Sequence, residues 1–337
     1  MSEKMWGSEP FWGLGYDWDP DWVLTDRQQE LRATLIELCE KEMRANAKRS
    51  DDELLFPRRN LELLGEHGFL GLTVPEEYGG LGENHVAFSM ACETIARYGC
   101  ASTAMCYVMH VGAVQAVMLR PTPELVDKYI RPLNTGLIGT LSYSDPETGS
   151  HFWYPISSKA ERSNGGYRVT KKASWTTSGG FADFYVVQTT SPEFKGYDDL
   201  SVFVIDKEHC EAQPSLWDAL GLRGNQSGAI AFNDVEIPGT QIVGPEGDGA
   251  TSNDEAVDPW FLIGSSSGRR RSRRSRRTSS RTPSSSRGSR RSSAPPWTRS
   301  GTRSATPSPG RSRTASRSHR SSAAGCTCRR ARPSGGA

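Results

Sequence analysis

The chain has 337 residues, room for two or three domains, and its formal charge of +2 conceals two unlike parts. The last 70 residues hold 20 of the 41 basic residues and none of the 39 acidic ones, so the preceding 267 carry a net charge of −18. An acidic body of this kind excludes the reading that the average charge invites, a basic nucleic-acid-binding domain.

Residues 1–24 form an arm with four tryptophans, Trp6, Trp12, Trp18 and Trp22, broken by Gly, Pro and Asp so that no helical or strand period is kept. The expectation is an extended segment packed on the surface or on a partner subunit. It has neither the charged start nor the apolar stretch of a secretory signal.

Residues 25–134 read as a helical domain. Thr25 or Asp26 suits the N-cap of a first helix, in which Leu31, Leu35, Leu38 and Cys39 share one face. Pro57 suits the first turn of a second helix with Leu61 and Leu64 inward and Gly68 as its stop. "GFLGLTVPEEYGGLG" (68–82) is too rich in Gly and Pro for a helix. Three further helices are read in "NHVAFSMACETIARYG", "ASTAMCYVMHVGAVQAVML" and "TPELVDKYI". The middle one is apolar on nearly every side and is expected at the centre of the domain. No stretch is expected to reach the ~18 apolar residues of a membrane span.

Residues 135–247 change to a period of two. "SNGGY" at 163–167 is a hairpin signal between alternating residues, and "LSVFVID" and "AIAFNDVEIP" read as strands. "GLRGNQSG" (221–228) lacks the Lys-Ser/Thr end of a phosphate loop and precedes a strand, so it is expected to be a turn. Its Arg223 is open to a substrate phosphate or a structural ion pair. Residues 248–267 start another helical pattern.

Residues 268–337 contain no Leu, Ile, Val, Met, Phe or Tyr. Such a segment cannot bury enough apolar area to offset its chain entropy. The change at Ser267–Gly268 is abrupt and comes after an apolar run, "PWFLIGSSS". GC-rich coding DNA read out of frame yields this palette of Arg, Ser, Pro, Ala and Gly, and a frameshift product is the expectation. A disordered tail and an Arg/Ser-rich nucleic-acid arm are the alternatives. The cysteines at 39, 92, 100, 106 and 210 lack paired spacing and read as reduced, mostly buried thiols of a cytoplasmic protein. No His or Cys cluster has metal-ligand spacing, and no Gly-x-Gly-x-x-Gly opens a helix after a strand.

Four segments, in order, resemble the acyl-CoA dehydrogenase family of flavoproteins: "GFLGLTVPEEYGGLG", "LSYSDPETGS" (141–150), "SWTTSGGFADFYVV" (174–187) and "GLRGNQSGAIAFNDVEIPGTQIVGPEGDG" (221–249). The resemblance covers about residues 25–264. It implies an α+β fold: an N-terminal α-helical domain followed by a central β-barrel-like domain, with the family's C-terminal helical bundle missing. It implies FAD as cofactor. The expected flavin contacts are Leu141, Ser142, Tyr143, Ser144, Gly149, Ser150, Trp175, Thr176 and Thr177. In that scheme residues 141–144 meet the ring edge with Ser144 as a side-chain partner. Trp175 covers the ring, Thr177 lies at its reactive nitrogen, and Ser150 also contacts the substrate thioester arm or the pyrophosphate.

The implied activity is α,β-dehydrogenation of an acyl-CoA thioester with hydride transfer to flavin. The implied partners are an electron-transfer flavoprotein or other redox partner and, for the intact parent, further copies of itself. The family's usual Asp after Gly-Ser is His151 here, followed by Phe152, Trp153 and Tyr154, and Asp145 stands where Glu is common. The family's usual catalytic carboxylate lies in the third domain. An alternative early position aligns with Trp260, which accepts no proton, and the nearby Glu255 reads as a surface residue. No catalytic base is assigned, and the chain is expected to be inactive through loss of that domain. A flavin-dependent monooxygenase on the same fold is the second reading, and nucleic-acid binding through the tail a remote third.

Overall fold

In a computed structural model, the described residues are 23–148, 155, 157–196, 198–212 and 219–260. All lie in the first of two units, Met1–Arg273, and the Trp-rich arm up to residue 22 and the Arg/Ser tail fall outside the described residues. Thr25 caps α1 (Asp26–Leu38) through a capping box with Gln28. Leu35 and Cys39 face inward with no exposed surface, and Leu31 and Leu38 pack beside them. The helix runs on through a π turn (Cys39–Met43) into α2 (Arg44–Asp52). Sequence reasoning did not single out α2, because only Ser50 among its residues is buried and it has no apolar stripe.

Pro57 is the N-cap of α3 (Arg58–Glu66), which buries Leu61 and Leu64 completely, and Gly68 comes next in the left-handed region at φ 80°. The loop expected at 68–82 is made of two 3-10 turns, Phe69–Gly71 and Glu76–Tyr78. Asn84 caps α4 (His85–Thr94), and α5 (Ala101–Met118) lies at the centre of the helical cluster. In length and composition α5 does reach the threshold for a membrane span, contrary to expectation. Most of it is buried inside the protein, which accounts for its apolar surface as core packing. A short α6 (Pro123–Leu125), capped by Thr122, runs on through a π turn (Val126–Ile130), and a 3-10 turn (Leu133–Thr135) ends the helical region.

Seven strands then form one sheet: β1 (Gly139–Ser142), β2 (Lys159–Ser163), β3 (Gly166–Thr176), β4 (Phe184–Thr190), β5 (Leu200–Asp206), β6 (Glu211–Ala212) and β7 (Gly228–Pro238). The order is β1-β4-β2-β3-β7-β6, with β5 also on β4. The hairpin signal is a two-residue turn: Ser163 pairs with Gly166, and Gly165 takes φ 79°. β1 runs parallel to β4, whereas β3 pairs antiparallel with β2 and β7.

β4 and β5 are buried almost throughout because both of their faces are covered. Phe184, Val186, Val202 and Val204 join the helical core, and the alternating Tyr185, Val187, Phe203 and Ile205 join a second core inside the curled sheet. A short α7 (Gly249–Ser252) and the helical turns to Trp260 return to the helical side, where Trp260 meets Phe88 edge-on at 4.8 Å.

Candidate functional site

β1 is where the two cores meet. Its side chains alternate. Leu141 points into the helical core, where Gly112 of α5 leaves it room: a Cβ there would lie 2.9 Å from the Leu141 methyl. The hydroxyls of Thr140 and Ser142 belong to the other side. Thr140 Oγ1 donates to the Thr177 carbonyl at 2.7 Å, and Ser142 Oγ shares a hydrogen bond with Thr176 Oγ1 at 3.1 Å. Thr177 Oγ1 shares another with Ser227 Oγ at 3.1 Å. Strand end, strand end and the loop before β7 are thus tied by small hydroxyls, all buried.

A bulge ends the antiparallel pairing at this place. Ala173 faces Ile230 and Thr176 faces Gly228, so Ser174 and Trp175 together oppose the single residue Ala229. A bulge re-aims side chains and bends the strand. Trp175 sits on it, and 57% of its surface is exposed while its neighbours Thr176 and Thr177 are buried. The chain then turns sharply at Ser178, φ 60°, whose N–H donates to the Asn225 carbonyl at 3.0 Å. Asn225 also accepts the Ser227 N–H on its side chain at 2.9 Å.

The segment after β1 is held from below. Lys171 and Asp145 form an ion pair at 2.8 Å with neither side chain exposed. Lys171 Nζ also donates to the Tyr143 carbonyl at 2.8 Å, and Asp145 accepts the Ser158 hydroxyl at 2.6 Å and the Ser157 N–H at 3.2 Å. Burial pulls the Lys171 ammonium below its ordinary range, and the Asp145 carboxylate opposes that pull. The cation therefore fixes the backbone at residues 143–145, the start of the segment expected at a ring edge. Asp145 is a structural anchor at this position. Tyr143 is buried, its phenol pushed upward by burial, and Ser144 is half-buried.

The structure brings Ser142, Thr176 and Thr177 together, with Trp175 outward beside them. Leu141 faces away from them into the helical core. Gly149 and Ser150, and the run His151–Tyr154, lie outside the described residues. "GLRGNQSG" is a turn, as expected, wound as 3-10 at Arg223–Asn225. The Arg223 N–H donates to Asp51 at 3.0 Å, and its Nε is buried without a partner. Glu255 is exposed and pairs with Arg120 at 3.3 Å. Thr140, Lys171, Asn225 and Ser227 were not assigned from sequence. Lys171 carried a signal: it has the same strand parity as Val169 and Ala173, which are buried. No group of three or more His, Cys, Asp or Glu among the described residues could hold a metal ion.

Residues 25–137 match the family model "Acyl-CoA dehydrogenase, N-terminal domain". A crystal structure of acyl-CoA dehydrogenase from Geobacillus kaustophilus superposes with a TM-score of 0.66 at 25% identity, over 71% of this chain and 64% of that one. Residues 25–137 thus carry an acyl-CoA dehydrogenase N-terminal domain, and the described fold is similar to that of acyl-CoA dehydrogenases. Among curated relatives, a mitochondrial 2-methylacyl-CoA dehydrogenase of Solanum tuberosum is 29% identical over 231 residues, 67% of this chain and 56% of the relative. A mitochondrial isovaleryl-CoA dehydrogenase of Arabidopsis thaliana is 30% identical over 232 residues, again 67% and 56%. The chain thus spans a little over half the length of these acyl-CoA dehydrogenases. Its helical region followed by a curled sheet is the architecture of that fold.

Proposed function

We propose that this protein is built to bind FAD at the β1–β3 junction and to take part in the α,β-oxidation of an acyl-CoA thioester. The observation that carries the reading is Trp175. A large indole is left outward on a strand bulge beside a buried floor of hydroxyls, at the place where two strands end. A flat, outward-facing indole suits the face of an isoalloxazine ring, because aromatic rings stack with offset faces. The likeness to named acyl-CoA dehydrogenases supports the same substrate class.

The residues present fit the cofactor. FAD supplies hydride acceptance; the protein supplies position. Trp175 covers one ring face. The Ser142–Thr176 and Thr140–Thr177 bonds keep the two strand ends at fixed separation. Lys171 holds the Tyr143 carbonyl, leaving the half-buried Ser144 as the ring-edge partner. Thr177 is already bonded to Ser227, so its hydroxyl is oriented before any ligand arrives. Glu255 lies at the surface, where it pairs with Arg120. The electron acceptor is taken to be an electron-transfer flavoprotein, the assembly a homo-oligomer, and the compartment the cytoplasm.

The test is titration of the full chain with FAD, followed by flavin absorbance and fluorescence. Saturable binding is expected, weakened about tenfold in Trp175→Ala, the order of one aromatic contact. With no catalytic base assigned, this chain is expected not to bleach the bound flavin anaerobically with an acyl-CoA thioester, and bleaching would show that it holds a base. Absence of FAD binding would remove the reading; bound flavin that turns over only with O2 and a reductant would replace it with a monooxygenase.

A further inference from the structure

The hydroxyls of Thr177 and Ser227 lie 3.1 Å apart, and either can be the donor. Thr177 is 6% and Ser227 5% exposed, whereas Thr140, Ser142 and Thr176 have 1% or less. This pair therefore retains what little surface the hydroxyl floor has.

The chain accepts strain to hold the pair. Among the described residues, five other than glycine have positive φ, and two of them flank it: Ser178 at 60° follows Thr177, and Gln226 at 51° precedes Ser227. Serine and glutamine take this region at a cost, and such strain gathers where a function fixes a geometry. The two turns are clasped backbone to backbone. The Ser178 N–H donates to the Asn225 carbonyl at 3.0 Å, and the Gly179 N–H to the Gln226 carbonyl at 3.1 Å. The Ser227 N–H is held by the Asn225 side chain at 2.9 Å. The backbone thus fixes where the two oxygens stand, while the bond between them can run either way.

That freedom has a chemical use. Each hydroxyl has one proton and two acceptor lone pairs. When Ser227 donates to Thr177, the Thr177 proton is left over and the pair presents a donor. When Thr177 donates to Ser227, Thr177 offers only lone pairs and the pair presents an acceptor. Rotation about two C–O bonds converts one arrangement into the other, and no heavy atom moves. A single buried hydroxyl lacks this choice, because on accepting from a ligand it strands its own proton. Flavin makes both demands at one atom: its reactive ring nitrogen is an acceptor when oxidised and an N–H donor when reduced.

We propose that Ser227 is a positioning residue that lets the Thr177 hydroxyl reverse its hydrogen bond, donating to the oxidised flavin nitrogen and accepting from the reduced one. The proposal rests on the flavin site described under the proposed function. It adds a cause that favours the reduced cofactor, since Ser227 takes the Thr177 proton that reduction would otherwise strand.

Calorimetric titration of the full chain with FAD in air, and anaerobically with dithionite-reduced FAD, tests it. In Ser227→Ala the reduced form is expected to lose about tenfold more affinity than the oxidised form, the order of one stranded buried donor. Tenfold corresponds to a drop of about 30 mV in the two-electron midpoint potential of the bound flavin. Ser227→Cys, which keeps the volume and bonds weakly, is expected to shift the same way and serves if the alanine variant does not fold. A merely structural role would weaken both oxidation states alike and leave the potential unmoved. That result, or loss of both forms of FAD by both variants, would overturn the reversal and leave the FAD reading standing. Failure of the wild-type chain to bind FAD in either state would overturn both.

Discussion

Lys171 and His110 show how single buried polar residues organise this protein. Removing the Lys171 cation leaves the Asp145 carboxylate buried and unpaired. Lys171→Met is therefore expected to destabilise by about 3–5 kcal/mol, measured by urea unfolding, and the double variant Lys171→Met/Asp145→Leu to recover much of the loss. His110 is completely buried, with Nε2 at 3.0 Å from the Leu70 carbonyl and Nδ1 accepting the Gly139 N–H at 3.0 Å. It bonds as a neutral ring, joining the loop after α3, the central helix and β1. Burial is the main cause that lowers its pKa from 6.5 to about 4. The folded form then binds fewer protons than the unfolded form between those two values. Its stability contribution is full above pH 6.5, declines as pH falls, and has been lost below pH 4. The total is on the order of 3 kcal/mol. Unfolding free energies across pH 7 to 4 should track this decline, and His110→Gln should flatten it.

At the scale of elements, caps and turns are local and readable, and strand pairing is not. Thr25, Asn84 and Thr122 all accept backbone N–H groups at helix starts. Thr25→Ala is expected to lower stability by about 1 kcal/mol, visible as a drop in melting temperature of the full chain. The Asn164-Gly165 turn was legible because only a residue tolerant of positive φ serves there. The bulge that turns Trp175 outward was not legible. It arises from the register of β3 against β7, strands separated by more than fifty residues, and no local pattern at 173–176 encodes it. For the same reason the Thr140–Thr177 and Thr177–Ser227 bonds were missed: each residue looks like any strand or turn hydroxyl until its partner is placed.

For the whole molecule, two cores share one sheet, and β4 and β5 supply alternate residues to each. Gly139 marks how close the layers lie, since a Cβ there would come within 2.3 Å of the Phe184 ring. Gly139→Ala should separate β1 from β4 and disturb both cores, and is expected to give a less cooperative unfolding transition than Thr25→Ala. The composition change at Ser267–Gly268 is a separate matter, and resequencing the coding DNA across it decides it. A missing or added base would restore an amphipathic continuation after "PWFLIGSSS"; confirmed DNA would leave the Arg/Ser segment as part of the protein.

The sequence by itself determined the helices other than α2, the hairpin, the central place of the apolar helix at 101–119, and the segments that carry the family resemblance. Each depends on neighbours within a few residues, through side-chain period, capping groups and backbone preference. Only the tertiary structure decided that Leu141 faces the helices while Ser142 faces β3, that Trp175 stands in the open, that Lys171 meets Asp145 across 26 residues, and that Asn253 is buried without a partner. Those outcomes are set by register and by which faces two cores bury, and a polar side chain reveals its role only when the groups around it are in place.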